Sequence, residues 1–244
     1  PDSFPTAGAT ATTIERYATT IGAPVHEHTR VTALRARGGR AGAYEVVTNR
    51  GTWTCPAVVI ATGANARASV PACAAGLPVG VASLSALEYR NPDQLADGGV
   101  LVVGAGSTGV QLADEIRSSG RPVTLSVGEH VRMLRSYRGR DAFWWSEAAA
   151  ILGERHDAVD DIVRVRHLPS PQLIGTPERR ELGLGTLQAA GVTIVGRLGR
   201  LADGVAQFSG GLANTCMLAD LKLARLLTRF DAAAEQIIPL EMWP

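Results

Sequence analysis

The chain has 244 residues, of which 45% are hydrophobic, 19% charged and 5% aromatic. That is apolar enough to build a core and too weakly charged for a disordered chain; at about 100–200 residues per domain it holds one large domain or two small ones. The 24 basic and 23 acidic residues leave a net charge of +1, which gives no reason to expect nucleic acid, and no apolar run approaches the ~18 residues of a membrane span.

Lys222 is the lone lysine, so arginine supplies the other basic residues, which reads first as composition bias. Cys55, Cys73 and Cys216 are too scattered for a disulfide framework or a zinc site and fit a reducing cytoplasm. The start lacks the basic and apolar regions of a signal peptide. It opens on Pro1 rather than Met, which suggests a piece of a longer chain.

In chain order, Pro1–Thr13 reads as a loop and Thr13–Gly22 as a short helix ending at a glycine. Val31–Leu34, Tyr44–Thr48 and Thr52–Cys55 read as strands. Gly38-Gly39 and Asn49–Gly51 supply tight turns, so an antiparallel meander is expected. Ala57–Gly63 is a continuous apolar run closed by Ala61-Thr62-Gly63, and predicts a buried parallel strand. Residues 64–97, punctuated by Pro71, Pro78 and Pro92, read as a connector.

From Gly98 the pattern becomes βαβ: strand Val100–Val103, glycine loop Gly104–Gly109, helix Val110–Ser119 and strand Pro122–Val127. A charged, helix-permissive stretch, Arg132–His167, carries Trp144-Trp145, whose adjacent rings suggest one core and one surface residue. A loop (Leu168–Pro177), a helix (Leu184–Ala190) and a strand (Val192–Val195) follow. Leu212–Gln236 is the longest helical pattern, with Leu218, Leu221, Leu226 and Phe230 at helical spacing. Alternating elements predict an α/β fold around an open, mostly parallel sheet.

The loop Gly104-Ala105-Gly106-Ser107-Thr108-Gly109 follows a β-branched run and opens a helix, the context a dinucleotide fingerprint requires. Gly104 makes the tight turn, Gly106 admits the pyrophosphate, and Gly109 lets helix and strand approach, while the helix start offers free N–H groups. The acid that NAD sites place about 20 residues on is absent from Leu125–Gly128, with Glu129 just beyond. Arg132, Arg135, Arg138 and Arg140 then crowd one stretch. Guanidinium groups suit a 2′-phosphate, so Arg132, Arg135 and Arg138 favour NADPH over NADH. The five histidines show no metal-ligand spacing.

The meander, the Ala61–Gly63 strand, the proline-rich connector, the glycine loop, the arginine patch and Gly191–Val195 together resemble two-dinucleotide flavoproteins. Tyr89–Pro92, Arg135–Trp145 (RSYRGRDAFWW) and Gln207–Leu223 (QFSGGLANTCMLADLKL) look like bacterial flavin-containing monooxygenase-like oxidoreductases. The resemblance implies a Rossmann-like, doubly wound NAD(P)-binding domain (98–205) inserted in an incomplete FAD-binding domain. The latter comprises residues 1–71 and the return with its long helix, 206–244, and 72–97 form the connector. It implies FAD and NADPH as cofactors, with Val31, Ala61, Thr62 and Gly63 on the flavin side. Hydride would pass from NADPH to FAD, and O₂ activation would oxygenate a small organic substrate.

The resemblance also leaves expectations about what is missing. An N-terminal FAD glycine loop and a C-terminal FAD segment lie outside the chain, which should bind FAD weakly and self-associate as a dimer or aggregate. The monooxygenase fingerprint F-x-G-x-x-x-H-x-x-x-[FYW], aligned on Tyr89, meets Val79, Val81 and Ser85 instead of Phe, Gly and His. The connector holds Cys73 alone and no Cys-x-x-Cys pair. The competing readings are a flavin reductase serving a partner protein and a nucleotide-binding fragment without turnover. No membrane or nucleic-acid partner is expected, and catalytic residues are not assigned.

Overall fold

A computed structural model describes residues 5–38, 43–63, 67–174 and 180–237. The chain divides into two compact units, 1–67 and 68–244.

The first unit opens with helix α1, Ala7–Thr20. It therefore begins inside the stretch expected to be a loop, because local chemistry satisfies that stretch as a helix. Thr6 caps it by accepting from the Ala9 amide at 3.1 Å. The hydroxyls of Thr10 and Thr13 donate to carbonyls one turn back, at 3.1 and 2.9 Å. The meander follows as expected: β1 (Val31–Arg37), β2 (Ala43–Thr48) and β3 (Gly51–Cys55) pair antiparallel in sequence order. Glu45 holds the outer strand through Arg35 and Arg37, which keep its carboxyl below the usual carboxylate range. Gly39, in the first expected turn, lies outside the described residues.

The expected buried strand at Ala57–Gly63 does not form. Its residues pair with no described strand, and Val59 and Ile60 are 89% and 72% exposed. A parallel strand exists only through ladders to its neighbours, and an apolar run without them stays irregular. No described residue of this unit is buried.

The second unit holds the βαβ core. Strand β4 (Val100–Val103) leads through the glycine loop to α2 (Ser107–Ser118) and β5 (Val123–Ser126). A hairpin of β6 (Ser136–Tyr137) and β7 (Arg140–Asp141) precedes helices α3 (Ala142–Ala148), α4 (Ile162–Arg166) and α5 (Leu184–Ala189). Strand β8 (Thr193–Val195), the hairpin of β9 (Leu198–Ala202) and β10 (Val205–Phe208), and the long helix α6 (Leu212–Ile237) complete the unit. The main sheet is parallel in the order β4-β5-β8, the arrangement of one half of a Rossmann fold.

Helix α2 buries Val110, Ala113 and Ile116, spaced by three on one amphipathic face, against Val102, Val123 and Leu125. The connector is part of this unit: Tyr89 and Leu95 pack on the same core, and Arg121 donates to the carbonyls of Leu95 and Ala96 at 2.9 and 2.6 Å. The β9–β10 hairpin was not anticipated, although Asp203-Gly204, both at positive φ, is a two-residue hairpin turn in plain view.

Helix α6 buries a different face from the expected one. Ala219, Leu223, Phe230, Ala233 and Ala234 are buried, whereas Leu218 and Leu221 face outward. At about 100° per residue, Leu221 lies roughly opposite Phe230, so the four residues first aligned cannot share one face. Phe230 stacks on Trp145 at 5.8 Å, and the Trp145 indole N–H donates to the Tyr137 carbonyl at 2.6 Å. Trp144 is half-buried, with the Arg140 guanidinium 4.8 Å from its ring centre. The tryptophan pair thus anchors α3 to α6.

Candidate nucleotide site

The loop between β4 and α2 is shaped by its glycines. Gly104 sits at φ 105°, a conformation that disfavours side chains, and its amide donates to the Ser126 carbonyl at 2.9 Å. A Cβ on Gly109 would lie 1.8 Å from the Gly104 carbonyl oxygen, so only glycine permits this approach of helix to strand. Gly106 precedes the first residue of α2, and a Cβ there would meet nothing within 4 Å. The amides of Ser107, Thr108 and Gly109 begin the helix and have no carbonyl one turn back to bond. The space around Gly106 is thus open beside those amides, the arrangement in which helix starts bind anions.

Two loop residues are engaged by another segment. The Ser107 hydroxyl donates to the Pro171 carbonyl at 2.8 Å, and the Gln172 side-chain amide donates to the Ala105 carbonyl. Pro171 also forms a parallel bridge with Val131, whose carbonyl accepts from the Gln172 amide at 2.7 Å. Residues 171–172 therefore tie the glycine loop to the segment that follows β5. Ser107 has one hydroxyl proton, which Pro171 takes in this arrangement, so its backbone amide is what it can offer a phosphate.

The structure separates the arginines. Arg132, next to Val131, pairs with Asp220 of α6 and lines a pocket of about 420 Å³ with His130, Glu181, Thr186 and Cys216. Arg135 pairs with Asp141 and lies 5.7 Å from the Phe143 ring centre. Arg138 pairs with Asp231 at 3.1 Å beside Tyr137. Arg135 and Arg138 thus belong to the aromatic block of α3 and α6. Ser126, at the position where an acid was sought, is 2% exposed and bonded to Gly196 and Leu198. Glu129 turns to Lys222 at 2.7 Å, which holds its carboxyl below the usual range.

Asp220, Glu181 and Cys216 were not anticipated as pocket residues. Asp220 is 88 positions from Arg132, and no local pattern links them. Burial, reinforced by Asp220, pushes the Cys216 thiol above its ordinary value. On the flavin side, Val31 is an exposed residue of β1, and Ala61, Thr62 and Gly63 are exposed. No helix among the described residues is long and apolar enough to cross a membrane, and no group of three metal-ligating side chains occurs among them.

A parallel sheet, a glycine loop opening onto a helix and a pocket beyond the second strand define a Rossmann-like dinucleotide-binding fold. The chain belongs to the pyridine nucleotide-disulphide oxidoreductase family, whose profile matches residues 2–138. It is 35% identical over 153 residues to an uncharacterized CzcO-like oxidoreductase of Geobacillus kaustophilus, covering 62% of this chain and 43% of that protein. It is 32% identical over 115 residues to the uncharacterized oxidoreductase CzcO of Bacillus subtilis, covering 47% and 33% respectively. The fold is similar to that of a flavin monooxygenase variant from Stenotrophomonas maltophilia, with a TM-score of 0.52 and 19% identity, over 84% of this chain and 52% of that one. The chain thus spans less than half the length of these curated relatives.

Proposed function

We propose that the chain supplies the nicotinamide-nucleotide domain, residues 98–205, and part of the flavin domain, 1–71 and 206–244, of a cytoplasmic FAD- and NADPH-dependent oxidoreductase. The reaction we favour is monooxygenation of a small organic substrate. The observation that carries the nucleotide reading is the Gly104–Gly109 loop: Gly109 is sterically required, while Gly106 faces open space beside the first amides of α2. These groups would hold the pyrophosphate, and Arg132 would meet a 2′-phosphate. Its exposed pairing with Asp220 is of a kind worth about 0–1 kcal/mol, weak enough for a phosphate to displace.

A bound flavin would supply the redox centre that takes hydride from the nicotinamide. On the flavin side the described residues Ala61, Thr62 and Gly63 are exposed. Support for FAD comes from the family and the fold likeness. The unmet fingerprint at Val79, Val81 and Ser85 favours, as a second reading, a reductase that delivers electrons to a partner protein.

The test has two parts. Nicotinamide fluorescence should report NADPH binding to this chain, and Gly106→Val should abolish it. In the protein that contains the chain, substrate-dependent incorporation of labelled oxygen supports the monooxygenase. NADPH oxidation coupled only to an added electron acceptor supports the reductase. Failure of NADPH to bind overturns both.

A further inference from the structure

The pocket beyond β5 presents an unusual balance of groups for a phosphate site. Arg132 is its guanidinium, and Asp220 already occupies it. Glu181 adds a second carboxylate to the lining. His130 is 2% exposed, and its Nδ1 lies 3.1 Å from the Gly128 carbonyl oxygen. A carbonyl only accepts, so Nδ1 carries the proton, and in the neutral ring Nε2 is a bare acceptor. That Nε2 is buried and has no hydrogen-bond partner. The Thr186 hydroxyl is taken by the amide and carbonyl of Gly183, both at 2.9 Å.

Two carboxylates, Asp220 and Glu181, thus stand against the one guanidinium on a lining that also includes Gly183, Leu184 and Gly185 at the start of α5. Acceptors suit the hydroxyls of a ribose, and carboxylates repel a phosphate. In dinucleotide sites an acid at the end of the second strand reads the ribose diol. Here Ser126 occupies that region and is turned into the core, so the strand itself provides no carboxylate. Asp220 brings one to the same end of the sheet from α6.

Contacts connect the glycine loop to this pocket. The Ser107 hydroxyl donates to the Pro171 carbonyl, and Pro171 bridges Val131, the residue between the pocket residues His130 and Arg132.

We propose that Asp220 is the residue that sets the choice between NADH and NADPH: it accepts from the 2′-hydroxyl of NADH, and it opposes the 2′-phosphate of NADPH both by its charge and by holding Arg132. The proposal rests on the nucleotide reading above and assigns its specificity to a residue outside the βαβ unit. Arg132 and Asp220 then act in opposition at one position, the guanidinium favouring the phosphate and the carboxylate the diol. Such selection by a repulsive element is a common route to specificity.

The experiment measures dissociation constants for NADPH and NADH by nicotinamide fluorescence with the unsubstituted chain, Asp220→Asn, Asp220→Ser and Arg132→Ala. The Asp220 side chain is 56% exposed, so both replacements should fold, with circular dichroism as the check. Asp220→Asn and Asp220→Ser should each tighten NADPH about 10-fold, and Asp220→Ser should weaken NADH, while Arg132→Ala should weaken NADPH about 10-fold. If both Asp220 variants keep the NADPH/NADH ratio of the parent while Arg132→Ala shifts it, Asp220 does not read the 2′ position and the proposal fails alone. If no variant shifts the ratio although both nucleotides bind, the pocket is not the ribose end, and again the proposal fails while the nucleotide reading stands. If neither nucleotide binds the unsubstituted chain, the nucleotide reading falls and takes the proposal with it.

Discussion

The Ser126 hydroxyl donates to the Gly196 carbonyl at 3.0 Å and accepts from the Leu198 amide at 2.9 Å. One buried side chain thereby joins the end of β5 to the turn between β8 and β9. Ser126→Ala leaves both backbone groups without this partner and should lower stability by about 1–3 kcal/mol in urea denaturation. Ser126→Asp, the replacement suggested by other NAD sites, should destabilise further without raising NADH affinity. A carboxylate there would be buried beside the Gly196 carbonyl rather than presented to a ribose.

The second and third glycines of the loop should respond differently to a single methyl group. Gly109→Ala places carbon 1.8 Å from the Gly104 carbonyl oxygen and forces the helix off the strand. It should lower the melting temperature and abolish nucleotide binding together. Gly106→Ala meets no protein atom within 4 Å, so its melting temperature should match the parent while NADPH binding weakens. Thermal melts and fluorescence titrations of both variants check this.

The aromatic block should carry stability, not nucleotide choice. Phe230 is buried against Trp145, and Phe230→Ala should cost about 3–5 kcal/mol in chemical denaturation. Arg138 faces Asp231 and Tyr137, so Arg138→Ala should leave the NADPH/NADH affinity ratio unchanged. A changed ratio would return Arg138 to the nucleotide site.

Cys216 should react slowly. Burial and the Asp220 carboxylate raise its pKa, so less thiolate is present at neutral pH than in a free thiol. Iodoacetamide labelling, followed by peptide mass spectrometry, should accelerate at Cys216 as pH rises beyond the ordinary thiol range. Asp220→Asn removes one cause of the upward shift and should speed labelling at pH 8.

The first unit should drive self-association. Val59 and Ile60 are adjacent and exposed, with Ile14, Tyr17 and Val31 also exposed in the same unit. Exposed apolar groups of this kind promote association. Light scattering at tens of micromolar should show dimers or larger species, and Val59→Lys with Ile60→Lys should reduce them. A monodisperse parent would contradict this.

Much of the architecture was readable from local pattern. Periodicity located the meander strands, β4, β5 and β8, and the glycine spacing located the turn into α2, because those features depend on backbone geometry within a few residues. Val110, Ala113 and Ile116 announce the buried face of α2 by their spacing alone. The Ala57–Gly63 run shows where such reading stops: its composition suits a buried strand, but burial requires neighbours that composition does not supply.

The site divides along the same line. The amino-acid sequence by itself determined the glycine turn proposed to hold a phosphate, since Gly104, Gly106 and Gly109 act through their own backbone. Only the tertiary structure decided which side chains stand beyond that turn. Three arginines equivalent in sequence were sorted by different acids, Arg135 by Asp141 six positions on, and Arg132 and Arg138 by Asp220 and Asp231 of the distant helix α6. Charge pairing acts through space over a few ångströms, and α6 brings Asp220 and Asp231 close from far along the chain, so no local motif could record their partners.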